Sequence, residues 1–139
     1  NELAREAAAC DDWNLLHPDS EQHVPYVTRA LENAAGPIVA VSDFMRAVPD
    51  QIAPWIPGDY SSLGTDGFGF SDTRAAARRF FNVDAASIVL AVLTRLARHG
   101  EVKPETLQQA IERYQLNADV STVFAGGVGS AESNTGGDA

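Results

Sequence analysis

The chain has one cysteine, Cys10, and that scarcity excludes a disulfide framework and every zinc cluster built from several thiolates. It is nearly without lysine: Lys103 stands alone among ten basic residues, the rest being arginine. Nineteen acidic residues outweigh those ten and leave a formal net charge of −9. Such a surface repels phosphate backbones and argues against a nucleic-acid partner. No apolar run approaches the roughly 20 residues that span a bilayer, so the sequence reads as a non-membrane protein. The opening Asn1-Glu2-Leu3 carries no initiator methionine and no basic start with an apolar core. It lacks the signature of a signal peptide and reads as the interior of a longer polypeptide.

What is present is ordinary for a globular chain: 45% hydrophobic and 21% charged residues over 139 positions. That length predicts one domain at most. Residues 2–11 are alanine-rich and predict a helix, with Leu3 and Ala7 on one face. Pro25 opens a second predicted helix over 24–35, striped by Val24, Val27, Leu31 and Ala35 and stopped at Gly36-Pro37. The β-branched run over 38–44 predicts a buried strand of a parallel sheet. Helical spacing returns over 45–56, where Pro49 and Pro54 argue against one unbroken helix. A weaker strand follows at 60–63, and Ser71 or Asp72 is the expected cap of the next helix. Asp84 caps the strongest helix, over 85–99, with a wide apolar face of Ile88, Val89, Val92, Leu93, Leu96 and Ala97. Pro104 starts a final helix over 104–115. Residues 121–139 form a Gly/Ser/Ala-rich tail without basic charge, whose composition predicts disorder.

Strands alternating with helices predict an α/β fold. Two strands are too few for a parallel sheet covered on both faces, so the pattern reads as part of a larger sheet.

The densest candidate for function is the loop over Gly64, Asp66, Gly67, Phe68, Gly69, Ser71, Asp72 and Arg74, between a strand and a helix start. In an open α/β sheet that is the carboxyl edge, where ligands bind. Backbone amides at a helix start favour an anion. The spacing G-x-x-G-x-G, however, is not the dinucleotide fingerprint, and no Walker lysine follows. Asp66 and Asp72 flank the loop and would repel phosphate, and the glycines are equally well read as a tight turn. Asp43, Asp66 and Asp72 suit a hard cation by type, yet Arg46, Arg74 and Arg78 lie close enough in sequence to pair with them. His17, His23 and His99 lack metal spacing, and no G-x-S-x-G elbow is present. Cys10 reads as an inert small residue, and Trp13 and Trp55 as packing anchors.

Leu63-Gly64-Thr65-Asp66-Gly67-Phe68-Gly69-Phe70-Ser71-Asp72-Thr73-Arg74 resembles a stretch of the homodimeric bacterial pyruvate dehydrogenase decarboxylating component. The resemblance continues co-linearly in Trp13-Asn14-Leu15-Leu16-His17-Pro18, Val24-Pro25-Tyr26, Ser42-Asp43-Phe44-Met45, Phe81-Asn82-Val83-Asp84-Ala85 and His99-Gly100-Glu101. It covers residues 1 to about 120; the prolines at 49 and 54 and the tail depart from it. It implies the transketolase-like C-terminal domain, a three-layer α/β/α sandwich whose mostly parallel sheet has further strands upstream. It also implies an enzyme that decarboxylates pyruvate on thiamine diphosphate with Mg²⁺ and reductively acetylates the lipoyl group of the dihydrolipoyl acetyltransferase component. The implied setting is a cytoplasmic homodimer within a multienzyme complex. The implied cofactor ligands map to the preceding domains, so no catalytic, cofactor or metal residue is carried onto this chain. The loop from Leu63 to Arg74 is then expected to serve as a structural or interdomain contact. The alternative is a free-standing anion- or nucleotide-binding module built on Gly64–Gly69.

Overall fold

The computed structural model describes residues 1–69 and 71–116. The expected tail, 121–139, lies outside the described residues, as does the end of the expected 1–120 domain.

Helix α1 runs Glu2–Leu16, five residues past the predicted end. No glycine or proline interrupts residues 12–16, and the helix stops only at His17, where Pro18 disfavours helical backbone. Helix α2 is shorter than predicted, Tyr26–Leu31, because Pro25 is extended and stands as its N-cap. Of the expected stripe, Val27 is buried and Leu31 half-buried, while Val24 and Ala35 lie outside the helix and are exposed.

Strands β1 (Ile38–Val41) and β2 (Tyr60–Leu63) pair in parallel, Ile38 opposite Tyr60 and Val41 opposite Leu63. This establishes the α/β class. β1 ends earlier than predicted, but the contact persists: Ser42 N donates to Leu63 O (3.0 Å) and Thr65 N to Phe44 O (2.9 Å). Between the strands, helix α3 (Ala47–Asp50) and a 3₁₀ turn (Ala53–Trp55) replace one helix. Pro49 sits in the first turn of α3, where its missing N–H is not needed. Pro54 could not donate back to Asp50, and the α-helix ends there.

Helix α4 spans Arg74–Phe80, and its cap differs from expectation. Thr73, not Ser71 or Asp72, is the N-cap: its backbone is extended and its Oγ1 accepts from Ala76 N. Asp72 instead accepts from the Thr73 amide at 2.6 Å. Helix α5 runs Ala85–Arg98 and is capped by Asp84 Oδ1, which accepts from Ser87 N at 2.9 Å. The apolar stretch from Arg74 to Arg98 is therefore not one rod. It is broken at Phe81–Asp84, where Asn82 has φ 57. Helix α6 spans Pro104–Tyr114 with proline in its first turn, as predicted.

α5 packs against β1 and α6, and α1 against α2. Among the described residues the buried core side chains are small: Ala7, Val27, Val83, Ala86 and Ala110. The wide apolar face expected of α5 is only half-buried, with Val89 38% exposed, because the described residues cover it incompletely. All four β2 residues are likewise only partly covered. Removing the α5 cap by Asp84→Ala also removes the Arg79–Asp84 ion pair. A loss of about 1 kcal/mol is expected in chemical denaturation, the usual worth of an N-cap.

Candidate functional site

The site is the carboxyl edge of the two parallel strands. β1 runs on into Asp43–Arg46 and β2 into Gly64–Gly69, so parallel pairing lays the two segments side by side. Gly64 is where they touch. A Cβ there would fall 2.6 Å from Phe44 O and 2.7 Å from Arg46 N, closer than any real side chain stands. Glycine is required at this position by the approach of the two backbones. Thr65 then fastens the crossing, donating Oγ1–H to Asp43 O at 2.8 Å.

Asp66 completes the closure. Its Oδ1 accepts from Arg46 N at 2.9 Å, and its Oδ2 accepts from Arg46 Nε. The hydrogen bonds from the Arg46 side chain, then from its amide, hold the Asp66 carboxyl below its ordinary range. Gly67 turns the chain at φ +101. Phe68 is 96% exposed, and Gly69 has open space around it. Ser71 is exposed, and Asp72 is spent on the Thr73 amide. Arg78 Nη2 donates to Asp43 Oδ1 at 3.0 Å, and Arg74 reaches Asp43 Oδ2 at 4.0 Å.

A shallow cleft of about 380 Å³ results, lined by Asp43, Thr65, Gly67, Gly69, Arg74 and Arg78, with Ala77 and Phe81 behind. The structure thus gathers the predicted loop with Asp43, Arg46 and Arg78. It pairs Asp43 and Asp66, but not Asp72, with the arginines that the sequence placed near them. No group of three His, Cys, Asp or Glu side chains among the described residues is arranged for a metal ion. Asp43 pairs with Arg78 and lies 4.0 Å from Arg74, and Asp66 pairs with Arg46.

The histidines lie elsewhere. His17 and His23 stack on the two sides of Trp13, at centroid distances of 4.3 and 3.8 Å. His99 Nε2 lies 2.9 Å from Asp59 Oδ2, and Arg95 Nη1 lies 2.5 Å from Asp59 Oδ1. The hydrogen bond from His99, followed by the charge of Arg95, holds the Asp59 carboxyl below its ordinary range despite its partial burial. This clasp joins the start of β2 to the last turns of α5, and sequence reasoning missed it. The partners are 36 and 40 residues apart, and no local pattern links them. Cys10 has its thiol pKa raised, first by burial and then by Glu6, whose carboxylate accepts from its Sγ at 3.6 Å. Trp55 anchors as expected: its Nε1–H donates to Asp11 Oδ2 at 2.7 Å, and its carbonyl accepts from Thr28.

A parallel strand pair closed at its carboxyl edge, with helices packed along it, is the architecture of one end of an open α/β sheet. Residues 6–84 match the family model described as the transketolase-like TK C-terminal domain. That match covers more than half of the chain, and the chain belongs to that family. Within it, the relatives are pyruvate dehydrogenase E1 components. The chain is 56% identical to that of Mycolicibacterium smegmatis over 134 residues, 96% of this chain and 14% of the relative. It is 60% identical to that of Mycobacterium tuberculosis over 116 residues, 84% and 12% respectively. For Escherichia coli the identity is 41% over 119 residues, 85% and 13%. The chain spans only about a seventh of the length of the first of these curated relatives.

Gly64→Ala is expected to destabilise by about 1–3 kcal/mol, the usual range for overpacking, because backbone on the facing segment must move. Gly69→Ala, facing open space with no positive φ, leaves the melting temperature nearly unchanged. A comparable loss in both variants by calorimetry would contradict the close approach.

Acid should also loosen this edge. Asp59 and Asp66 titrate lower folded than unfolded, so the stability they add is complete above the ordinary carboxylate value of 3.8. It drains away as pH falls from there through the folded values. Asp66→Asn is expected to flatten that part of the stability–pH curve, and an unchanged acid slope would contradict the assignment.

Proposed function

We propose that the chain is the C-terminal portion of a pyruvate dehydrogenase decarboxylating component. The whole polypeptide decarboxylates pyruvate on thiamine diphosphate with Mg²⁺ and passes the acetyl group reductively to the lipoyl group of the dihydrolipoyl acetyltransferase component. It works as a cytoplasmic homodimer in the multienzyme complex. The observation that carries this reading is the similarity itself: 56% identity extending over 96% of the chain within a relative about seven times as long.

Thiamine diphosphate supplies the electron sink for the carbanion when bound. The described residues do not fit it or its metal ion, because Asp43 and Asp66 are committed to arginines and no three-ligand cluster is formed. On this reading both cofactors are held by the portions of the polypeptide outside this chain. The part played here is architectural. The Leu63–Arg74 loop closes the sheet edge and presents exposed Phe68 and Arg74 to the rest of the enzyme. Upstream strands complete the sheet, which accounts for strands that are only half-covered. The anion-binding alternative has weaker support, since Asp43 already lies against Arg74 and Arg78, where an anion would sit.

CO₂ release from pyruvate by the whole polypeptide is expected only with both thiamine diphosphate and Mg²⁺. Turnover without thiamine diphosphate would overturn the reading. In the same enzyme, Asp66→Asn should lower the melting temperature and leave the KM for pyruvate unchanged. A raised KM with unchanged melting would put the loop in the catalytic site instead.

A further inference from the structure

Asp66-Gly67 is the one Asp-Gly pair in the sequence, which contains no Asn-Gly pair. Such a pair carries a chemistry of its own. The backbone nitrogen that follows an aspartate can attack the side-chain carboxyl carbon and close a cyclic imide (a succinimide). A side chain on the following residue obstructs that approach, and glycine has none. The fold leaves this nitrogen unencumbered. Gly67 is exposed, stands at φ +101, and its N–H makes no hydrogen bond among the described residues.

The fold also restrains the carboxyl group under attack. Ring closure expels a carboxyl oxygen as water, so it proceeds from the neutral acid and not from the carboxylate. Both Asp66 oxygens accept from Arg46, Oδ1 from the amide at 2.9 Å and Oδ2 from Nε. These bonds favour the ionised form and hold the carboxyl below its ordinary range. They also fix its position: the side chain is only 19% exposed, and Gly64 and Thr65 keep the facing segment against it.

We propose that Asp66 is a site of spontaneous isoaspartate formation, held in check in the native sheet edge by the Arg46 clamp. The Gly67 nitrogen bonds to the Asp66 side-chain carboxyl carbon. The amide proton and the carboxyl hydroxyl leave together as water. Water then adds back at either imide carbonyl. Opening at the side-chain carbonyl restores aspartate. Opening at the main-chain carbonyl routes the backbone through the side-chain methylene, which is isoaspartate. The water lost is regained, so no oxidant or co-reactant is consumed. Isoaspartate lengthens the backbone by a methylene and moves the carboxylate off Arg46, so both clamp bonds are lost and the sheet edge opens.

The test is incubation of the whole polypeptide in heavy-oxygen water near neutral pH, followed by peptide mapping in a mass spectrometer with electron-transfer fragmentation. Imide turnover leaves a heavy oxygen in residue 66, and fragmentation separates isoaspartate from aspartate there. Slow labelling at Asp66 is expected in the unaltered protein, and labelling several-fold faster in Arg46→Gln. Thr65→Val, which removes the bond to Asp43 O and keeps the clamp, should stay near the unaltered rate. Asp66→Asn should turn over fastest, because ammonia leaves without a carboxylate first being protonated. The isoaspartate-bearing fraction should melt below fresh protein. Absence of labelling in both Arg46→Gln and Asp66→Asn would overturn the site. Equal rates in the unaltered protein and Arg46→Gln, or equal acceleration by Thr65→Val, would overturn the clamp. An aged fraction that melts like fresh protein would overturn the opening of the edge. Pyruvate turnover is not a readout, so the result stands apart from the proposed enzyme activity.

Discussion

The described structure depends on one close approach, that of Gly64 to the backbone of Phe44 and Arg46. Two parallel strands can diverge freely once their ladder ends, because no ladder bond holds the residues beyond its last rung. Here the chains stay together for several further residues. The absence of a side chain at Gly64 lets the backbones come within hydrogen-bonding reach, and Thr65 and Asp66 then bond across the gap. Arg46 contributes both its amide and its guanidinium to the same carboxylate, so one residue fixes position and charge together.

The start of α4 depends on this closure. Asp43, held at the end of β1, is met by Arg78 and more loosely by Arg74, and α4 is thereby tied to the sheet edge. At the opposite end of β2, Asp59 performs a similar service for α5 through Arg95 and His99. The sheet is thus pinned at both ends by carboxylates acting on arginines of α4 and α5. These contacts are partly exposed, and each adds a modest amount to stability. Their value is geometric, since they orient helices that the small enclosed core holds only weakly.

That weak core is the clearest physical sign of how the chain is used. Among the described residues, alanines and two valines make up the buried apolar set, while Phe44, Met45 and Phe68 are more than half exposed. Apolar surface of that extent on one small unit is normally covered by another. Family membership and the short share of each relative that the chain represents agree with this.

Much of the local structure was legible in the residues. Asp84 as a cap, Pro104 as a helix start, the strand at 60–63 and the break near Pro54 all arise from backbone chemistry acting within a few positions. The glycine loop could be located for the same reason, and its arginines could be proposed as partners for its carboxylates. Tertiary structure decided the matters that sequence spacing leaves open. It set which carboxylate meets which arginine, that Thr73 rather than Ser71 or Asp72 caps α4, and that the apolar face of α5 stays half-covered. It alone made the Asp59 clasp and the need for glycine at 64, because both arise where distant segments come within a few ångströms. Local preferences act along the chain, whereas these contacts act across it.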